Sequence, residues 1–219
     1  MKLKSNVDYN IISSGSMGNA TIIEKHILID CGIPFKTLSP YYNDIKLILL
    51  THEHSDHFNP STIRRFAIER PTVRFACGAW LAERLINNGV NKHNIDIMKF
   101  ATVFSYGDFK VIPVRLIHNV PNLGYKIQFC DGCKMIYATD TNSLQGIKAP
   151  NYDLYLLEAD YEDEEIQERI KAKQERGEYI YEYDVLKNHL SKAKCDEFLL
   201  NNIGKNSVFE YMHQHVERG

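Results

Sequence analysis

Lys46-Leu47-Ile48-Leu49-Leu50-Thr51-His52-Glu53-His54-Ser55-Asp56-His57 is the stretch on which the reading of this chain turns. Its first half, Lys46 to Thr51, is a nearly continuous apolar run of the kind that forms a strand buried on both faces. Its second half sets three histidines and an aspartate into the six residues that follow directly. A strand end that turns sharply can aim His52 and His54 at one metal ion while Asp56 and His57, just beyond the turn, face a second. Neutral imidazoles and carboxylates suit borderline divalent ions such as zinc or manganese, and no thiolate is needed.

A dinuclear site needs further ligands, and they must come from other strand ends. His118 follows the strand-like Val114 to Ile117, Asp140 follows Met135 to Thr139, and His213 follows Val208 to Met212. Each is a ligand-type residue at the C-terminal end of a predicted strand, where layered α/β folds gather their chemistry. A carboxylate such as Asp140 can bridge two ions because each oxygen can bind one.

Outward from this stretch, short alternating or β-branched runs predict strands at Val7 to Ile12, Ala20 to Glu24 and His26 to Asp30, with Ser13 to Asn19 as a polar loop. Helices are predicted over Pro60 to Arg70 and Ala79 to Asn88, the second closed by Gly89. Further strands are expected at Thr72 to Ala76, Ile95 to Phe100, Phe109 to Ile117, Gly124 to Phe129, Lys134 to Thr139, Leu154 to Glu158 and Ser207 to Met212. Asp163 to Glu175 reads as a charged helix with acids first and bases later, in agreement with the helix dipole, and Ser191 should cap another helix running to about Ile203. The mixture implies an α/β fold with two sheets sandwiched between helices. Trp80 is expected in the core. Tyr179-Ile180-Tyr181-Glu182-Tyr183 is aromatic enough to stack bases, although a half-buried strand or loop packing on the core is the simpler expectation. Cys130 and Cys133 flank Asp131-Gly132, a strong two-residue hairpin signal, and should be cross-strand neighbours.

Composition limits the classes open to the chain. At 219 residues, with 44% hydrophobic and 25% charged residues, neither disorder nor a membrane protein is suggested, and a single domain over residues 1–219 is expected. A net charge of −2 gives no global basic field for nucleic acid, although bound metals would add local positive charge. Five scattered cysteines do not build a disulfide framework. No apolar run approaches a membrane span, and the first residues do not read as a signal core, so a cytoplasmic location without membrane partners is expected.

The pattern His-x-His-x-Asp-His, with Asp30 upstream in Ile29-Asp30-Cys31-Gly32 and His118 and Asp140 downstream, resembles the metallo-β-lactamase superfamily. More narrowly, Ser14-Gly15-Ser16-Met17-Gly18-Asn19-Ala20, Leu157-Glu158-Ala159-Asp160-Tyr161 and Asn188-His189-Leu190-Ser191 look like its YycJ/WalJ branch of exonuclease-like phosphodiesterases. The resemblance runs from about Ile11 to His215 and implies a four-layer αββα sandwich. It further implies that His52, His54 and His118 hold one ion, that Asp56, His57 and His213 hold the other, and that Asp140 bridges. Asp30 would orient the His-rich loop by hydrogen bonds from outside the ligand set. His189 would act as general acid and Asp56 as ligand and general base, with His215 a fallback for His213. Ser14, Ser16 and Asn19 are candidates for substrate contact. Small members of this fold often pair, so a homodimer is among the expected states.

The expected activity is hydrolysis of phosphodiester bonds, in nucleic acid first, by attack of a hydroxide shared between two divalent ions, zinc or manganese. A cyclic nucleotide phosphodiesterase that degrades a signalling nucleotide, as in phage-encoded relatives, is the alternative. A non-phosphoester hydrolase and a catalytically silent binding module rank lower.

Overall fold

The structure is a computed structural model that describes residues 5–214, so His215 lies outside the described residues. Six strands form the first sheet side by side in chain order: β1 (Tyr9–Ser13), β2 (Ala20–Ile23), β3 (Ile27–Ile29), β4 (Leu47–Leu49), β5 (Arg74–Cys77) and β6 (Ile95–Ile97). Pairing is antiparallel from β1 to β3 and parallel from β3 to β6. The second sheet repeats this plan with β7 (Phe104–Ser105), β8 (Phe109–Leu116), β9 (Asn122–Phe129), β10 (Lys134–Ala138), β11 (Leu154–Glu158) and β12 (Val208–Met212). Here pairing is antiparallel as far as β10 and parallel from β10 to β12.

Side-chain alternation along these strands builds the layers. Ile27, Ile29, Leu47 and Leu49 point inward to meet Val111, Leu123, Tyr125, Ile127, Tyr137 and Leu156 of the other sheet. Their neighbours Leu28, Ile48, Leu50 and Phe75 point the opposite way. They pack against α1 (Phe35–Leu38), α2 (Pro60–Glu69) and α3 (Ala79–Asn87) through Leu38, Ile63, Phe66, Leu81 and Leu85. On the far side, Ile136, Ala138, Tyr155 and Leu157 meet Cys195, Phe198 and Leu199 of α6 (Lys192–Asn202). The result is the expected αββα order, with β4 covered on both faces as its unbroken apolar sequence requires. Each fully buried Leu or Ile contributes about 1.5–3 kcal/mol to this arrangement.

Local signals account for the helix ends. Pro60 opens α2, where the Asn59 side chain accepts the Thr62 amide at 3.1 Å. Ser191 caps α6 by accepting the Lys194 amide. Between β11 and α6 lie α4 (Asp163–Arg176) and α5 (Glu182–Asn188), which share a small cluster of Tyr161, Ile166 and Ile170 with Ile180, Val185 and Leu186. Two expectations are corrected here. Of the two forms expected for the tyrosine-rich segment, the strand is absent: it is a loop and turn leading into α5, packed through Ile180 with Tyr179, Tyr181 and Tyr183 exposed. The β9–β10 hairpin has a longer turn than two residues: Phe129 pairs with Cys133, and Gly132 closes it at φ 94°. Cys130 therefore sits in the turn and is not opposite Cys133; both thiols are free. Trp80, expected in the core, is half-buried and packs against both of the larger clusters.

Candidate metal centre

Because β3, β4, β8, β10, β11 and β12 run in one sense in their sheets, the residues after them collect along one rim of the sandwich. Asp30 follows β3, His52 follows β4, His118 follows β8, Asp140 follows β10, Glu158 ends β11 and His213 follows β12. Three of these tips, Asp30, Asp140 and His213, have left-handed backbones with φ of 60°, 57° and 52°. This turn costs a non-glycine residue about 1–2 kcal/mol and swings its side chain out of the strand's alternation.

The histidine loop is held from below. Asp30 is fully buried and accepts hydrogen bonds from the Thr51 amide and hydroxyl, both at 2.9 Å, and from His57 Nδ1 at 2.7 Å. Backbone pairing of Cys31 with His57 and of Asn59 with Cys31 closes the loop against the segment after β3. That approach explains Gly32, where a Cβ would lie 1.7 Å from the Asp56 carbonyl oxygen. From α3, Arg84 donates to the Glu53 carbonyl at 3.0 Å and lies over the Phe58 ring.

These outer partners determine which ring nitrogen faces the rim. His52 Nδ1 lies 3.0 Å from Thr51 Oγ1, whose own proton goes to Asp30, so Nδ1–H donates and Nε2 keeps its lone pair. His118 Nδ1 donates to the Asn188 carbonyl at 3.1 Å, again freeing Nε2. Both Nε2 atoms converge on His54 Nδ1, at 3.1 and 3.3 Å. Three acceptor nitrogens around one point repel unless a proton or a cation lies among them, and a proton can serve only one or two of them at a time. Burial pushes the His52 ring down to about 2 and His118 down to about 4, so neither takes that proton readily.

The second group is Asp56, His57, Asp140 and His213. Asp140 Oδ2 is 3.0 Å from His57 Nε2, while Oδ1 is 3.5 Å from His213 Nε2 and 3.9 Å from His118 Nε2. Asp140 Oδ2 and both ring nitrogens of His213 are buried without a hydrogen-bond partner. Burial opposes charge here, yet the carboxylates of Asp140 and Asp30 hold the His57 ring well above its usual range, and Asp140 does the same for His213. Asp140 itself is held well below the usual carboxylate range, burial being overcome chiefly by His57 and His213. Protons on His57 and His213 thus stand where a divalent cation would neutralise the same carboxylates. The donor set, imidazole and carboxylate with orphaned buried atoms facing one another, fits metal ions.

His189 joins a third group with Asp140, Glu158 and His213. Its Nδ1 donates to Glu158 Oε1 at 2.6 Å, and burial lifts the Glu158 carboxyl to about 7. Burial works against the His189 cation, but Glu158 raises its pKa. Glu158 Oε2 also accepts the Thr141 amide at 2.7 Å, tying the loop after Asp140 to His189. Glu158 was not among the expected site residues. Its signal was the one that found His118: a ligand-type side chain at the tip of an apolar strand. The predicted ligands are all brought together, whereas two of the three residues offered for substrate contact face inward. Ser14 Oγ accepts the His213 amide at 2.8 Å, and the buried Asn19 amide contacts Gly15, Asp56 and His57. Only Ser16 of the three is exposed.

Fold and site together define the class. Residues 25–183 match the Beta-lactamase superfamily domain, and the chain belongs to that family, as a metallo-β-lactamase fold protein. Within it, the chain is similar to Exodeoxyribonuclease WalJ of Streptococcus pneumoniae serotype 2 (strain D39), 22% identical over 93% of this chain and 80% of that protein. It is also similar to Exodeoxyribonuclease YycJ of Bacillus anthracis, 28% identical over 61% of this chain, which spans about half (54%) of that relative. Among solved structures, human short-form tRNase Z superposes with a TM-score of 0.70 at 18% identity, covering 94% of this chain and 92% of that one. The metallo-β-lactamase fold protein YhfI of Bacillus subtilis gives 0.70 at 14% identity, covering 94% and 85%. Among the described residues no helix is long and apolar enough to cross a membrane.

Proposed function

We propose that this chain is a dinuclear metal-dependent phosphodiesterase of the cytoplasm that acts on nucleic acid. One observation carries the reading: the two oxygens of Asp140 look toward different imidazoles, Oδ2 toward His57 and Oδ1 toward His213 and His118. His52, His54 and His118 would hold one ion, Asp56, His57 and His213 the other, and Asp140 would be shared. Two such ions, zinc or manganese, would lower the pKa of a bound water and would offset charge that grows on phosphoryl oxygens.

The chain's own groups do the rest. Asp56, its carboxyl held below the usual range by the His213 and His57 rings beside it, at 3.7 and 3.4 Å, which outweigh burial, stays an acceptor able to orient the attacking water. His189, with Nδ1 fixed by Glu158, presents its remaining nitrogen to the departing oxygen as general acid. The names of the WalJ and YycJ relatives support nucleic acid as substrate. The deciding experiment loads the protein with zinc or manganese and compares single- and double-stranded DNA, RNA, and 2′,3′- and 3′,5′-cyclic nucleotides in parallel. Cleavage of polynucleotide ends is the expected result. A large preference for cyclic mononucleotides would overturn the substrate, and no hydrolysis of any phosphodiester would overturn the reaction.

A further inference from the structure

The shared carboxylate depends on a residue that touches no reacting group. Extending the β9–β10 register from Tyr125 opposite Tyr137 by three residues brings Asn122 opposite Asp140. The ladder itself ends at the Tyr125–Tyr137 pair, and by Asp140 the backbone has turned left-handed at φ 57°. Asn122 is 2% exposed, and its side-chain Nδ2 donates to the Thr139 carbonyl at 3.0 Å and to the Asp140 carbonyl at 2.7 Å. Both amide protons are thus spent on the two carbonyls that bracket the turn. An ordinary strand would bond these carbonyls with backbone amides, which the turn at Asp140 removes from reach. Left unpaired and buried, the carbonyls would favour return to an extended backbone, and alternation would then point the Asp140 side chain elsewhere.

We propose that Asn122 is the positioning residue for Asp140: by bonding both carbonyls it holds the left-handed turn that sets the carboxylate between the two ligand groups. The inference rests on the dinuclear reading above and deepens it. Asn122 carries no charge and both its amide protons go to the turn at Asp140, so its effect on metal binding should pass through Asp140; direct contact of its buried, unpartnered Oδ1 with an ion would instead persist in the Asp140→Ala background. This separates it from Glu158 and Asp30, which contact imidazoles directly.

The test is titration of metal-free protein with cobalt(II), followed by visible absorption and calorimetry, for wild type, Asn122→Ser, Asn122→Ala, Asp140→Ala and the Asn122→Ala/Asp140→Ala double variant. Asn122→Ala should weaken binding 10- to 100-fold, the range found when outer partners of metal ligands are removed. Asn122→Ser keeps one donor and should fall between Ala and wild type, and it serves if the Ala variant does not fold. In the Asp140→Ala background, loss of Asn122 should leave cobalt affinity unchanged. Urea unfolding of the metal-free proteins separates a merely structural role, which would lower the midpoint while leaving cobalt affinity of the folded protein at the wild-type value. That outcome, or a further loss of affinity in the double variant, overturns the proposal. Failure of the wild-type protein to take up two ions would instead overturn the dinuclear reading itself.

Discussion

Asp30→Asn gives the sharpest test of how the outer hydrogen bonds govern the inner nitrogens. Asparagine has nearly the same shape and tolerates a left-handed backbone, so the turn at φ 60° survives. Two donors from Thr51 reach Asp30 Oδ1, and the amide oxygen must stay with them. The amide nitrogen then faces His57 Nδ1, which donates to a carboxylate oxygen at 2.7 Å in the native chain. Facing an N–H instead, Nδ1 must become the acceptor, so the ring proton moves to Nε2, the atom aimed at Asp140. Exchange of a charge-assisted bond for a neutral one should lower the stability of the metal-free protein by about 1 kcal/mol. The larger effect is on metal: a wrong tautomer should cost about 10–100-fold in affinity, or roughly 1.4–2.7 kcal/mol, at the group holding His57. The three-histidine group should keep its affinity, since Thr51 can still accept from His52. Cobalt titration resolves the two steps, and ¹⁵N chemical shifts of the imidazoles report the tautomer directly. Two wild-type affinities, or equal weakening of both, would refute this account.

Three further outcomes follow from the same geometry. Gly32→Ala should destabilise the protein by about 3 kcal/mol or more, because the new methyl meets the Asp56 backbone at 1.7 Å and backbone cannot yield as a flexible side chain does; an unchanged denaturation midpoint would contradict it. His189→Ala should slow hydrolysis about 10²- to 10⁴-fold while elemental analysis still finds two ions, and loss of an ion would show that His189, not His213, completes the ligand set. Chelation of protein kept at free ion about 100 times the dissociation constant of each site should remove about 2.7 kcal/mol per ion, about 5.4 kcal/mol for two, seen as a drop of roughly 11–22 °C in thermal midpoint.

What could be read from the chain alone was whatever repeats with a fixed period or sits at a period's end. Lys46 to Thr51 announced the doubly covered β4, and His118, Asp140 and His213 announced themselves by following apolar runs. Glu158 carries the same mark, but its neighbours on the strand give no hint that His189 returns to meet it from 31 residues later. Tyr179 to Tyr183 misled for a different reason. Five residues of alternating tyrosine fit a period of two, but the positions that find apolar partners are Ile180, Val185 and Leu186, chosen by the facing side of α4. The roles of Ser14 and Asn19 were equally hidden: polar loop residues look the same whether they bond a ligand or, as here, the backbone and side chains of His213, Asp56 and His57.

The left-handed tips at Asp30, Asp140 and His213 bear on how this scaffold responds to selection. At each of them glycine would suit the backbone better by about 1–2 kcal/mol, so the metal-free chain is not at its own optimum. A library screened only for heat resistance should therefore drift toward glycine or asparagine at Asp140 and His213 and shed hydrolysis as it hardens, while Asp30 should persist because its carboxylate holds Thr51 and His57. Thermal robustness and turnover are opposed at the same few backbone angles, and a useful thermostable variant has to find its gains in the helical layers instead.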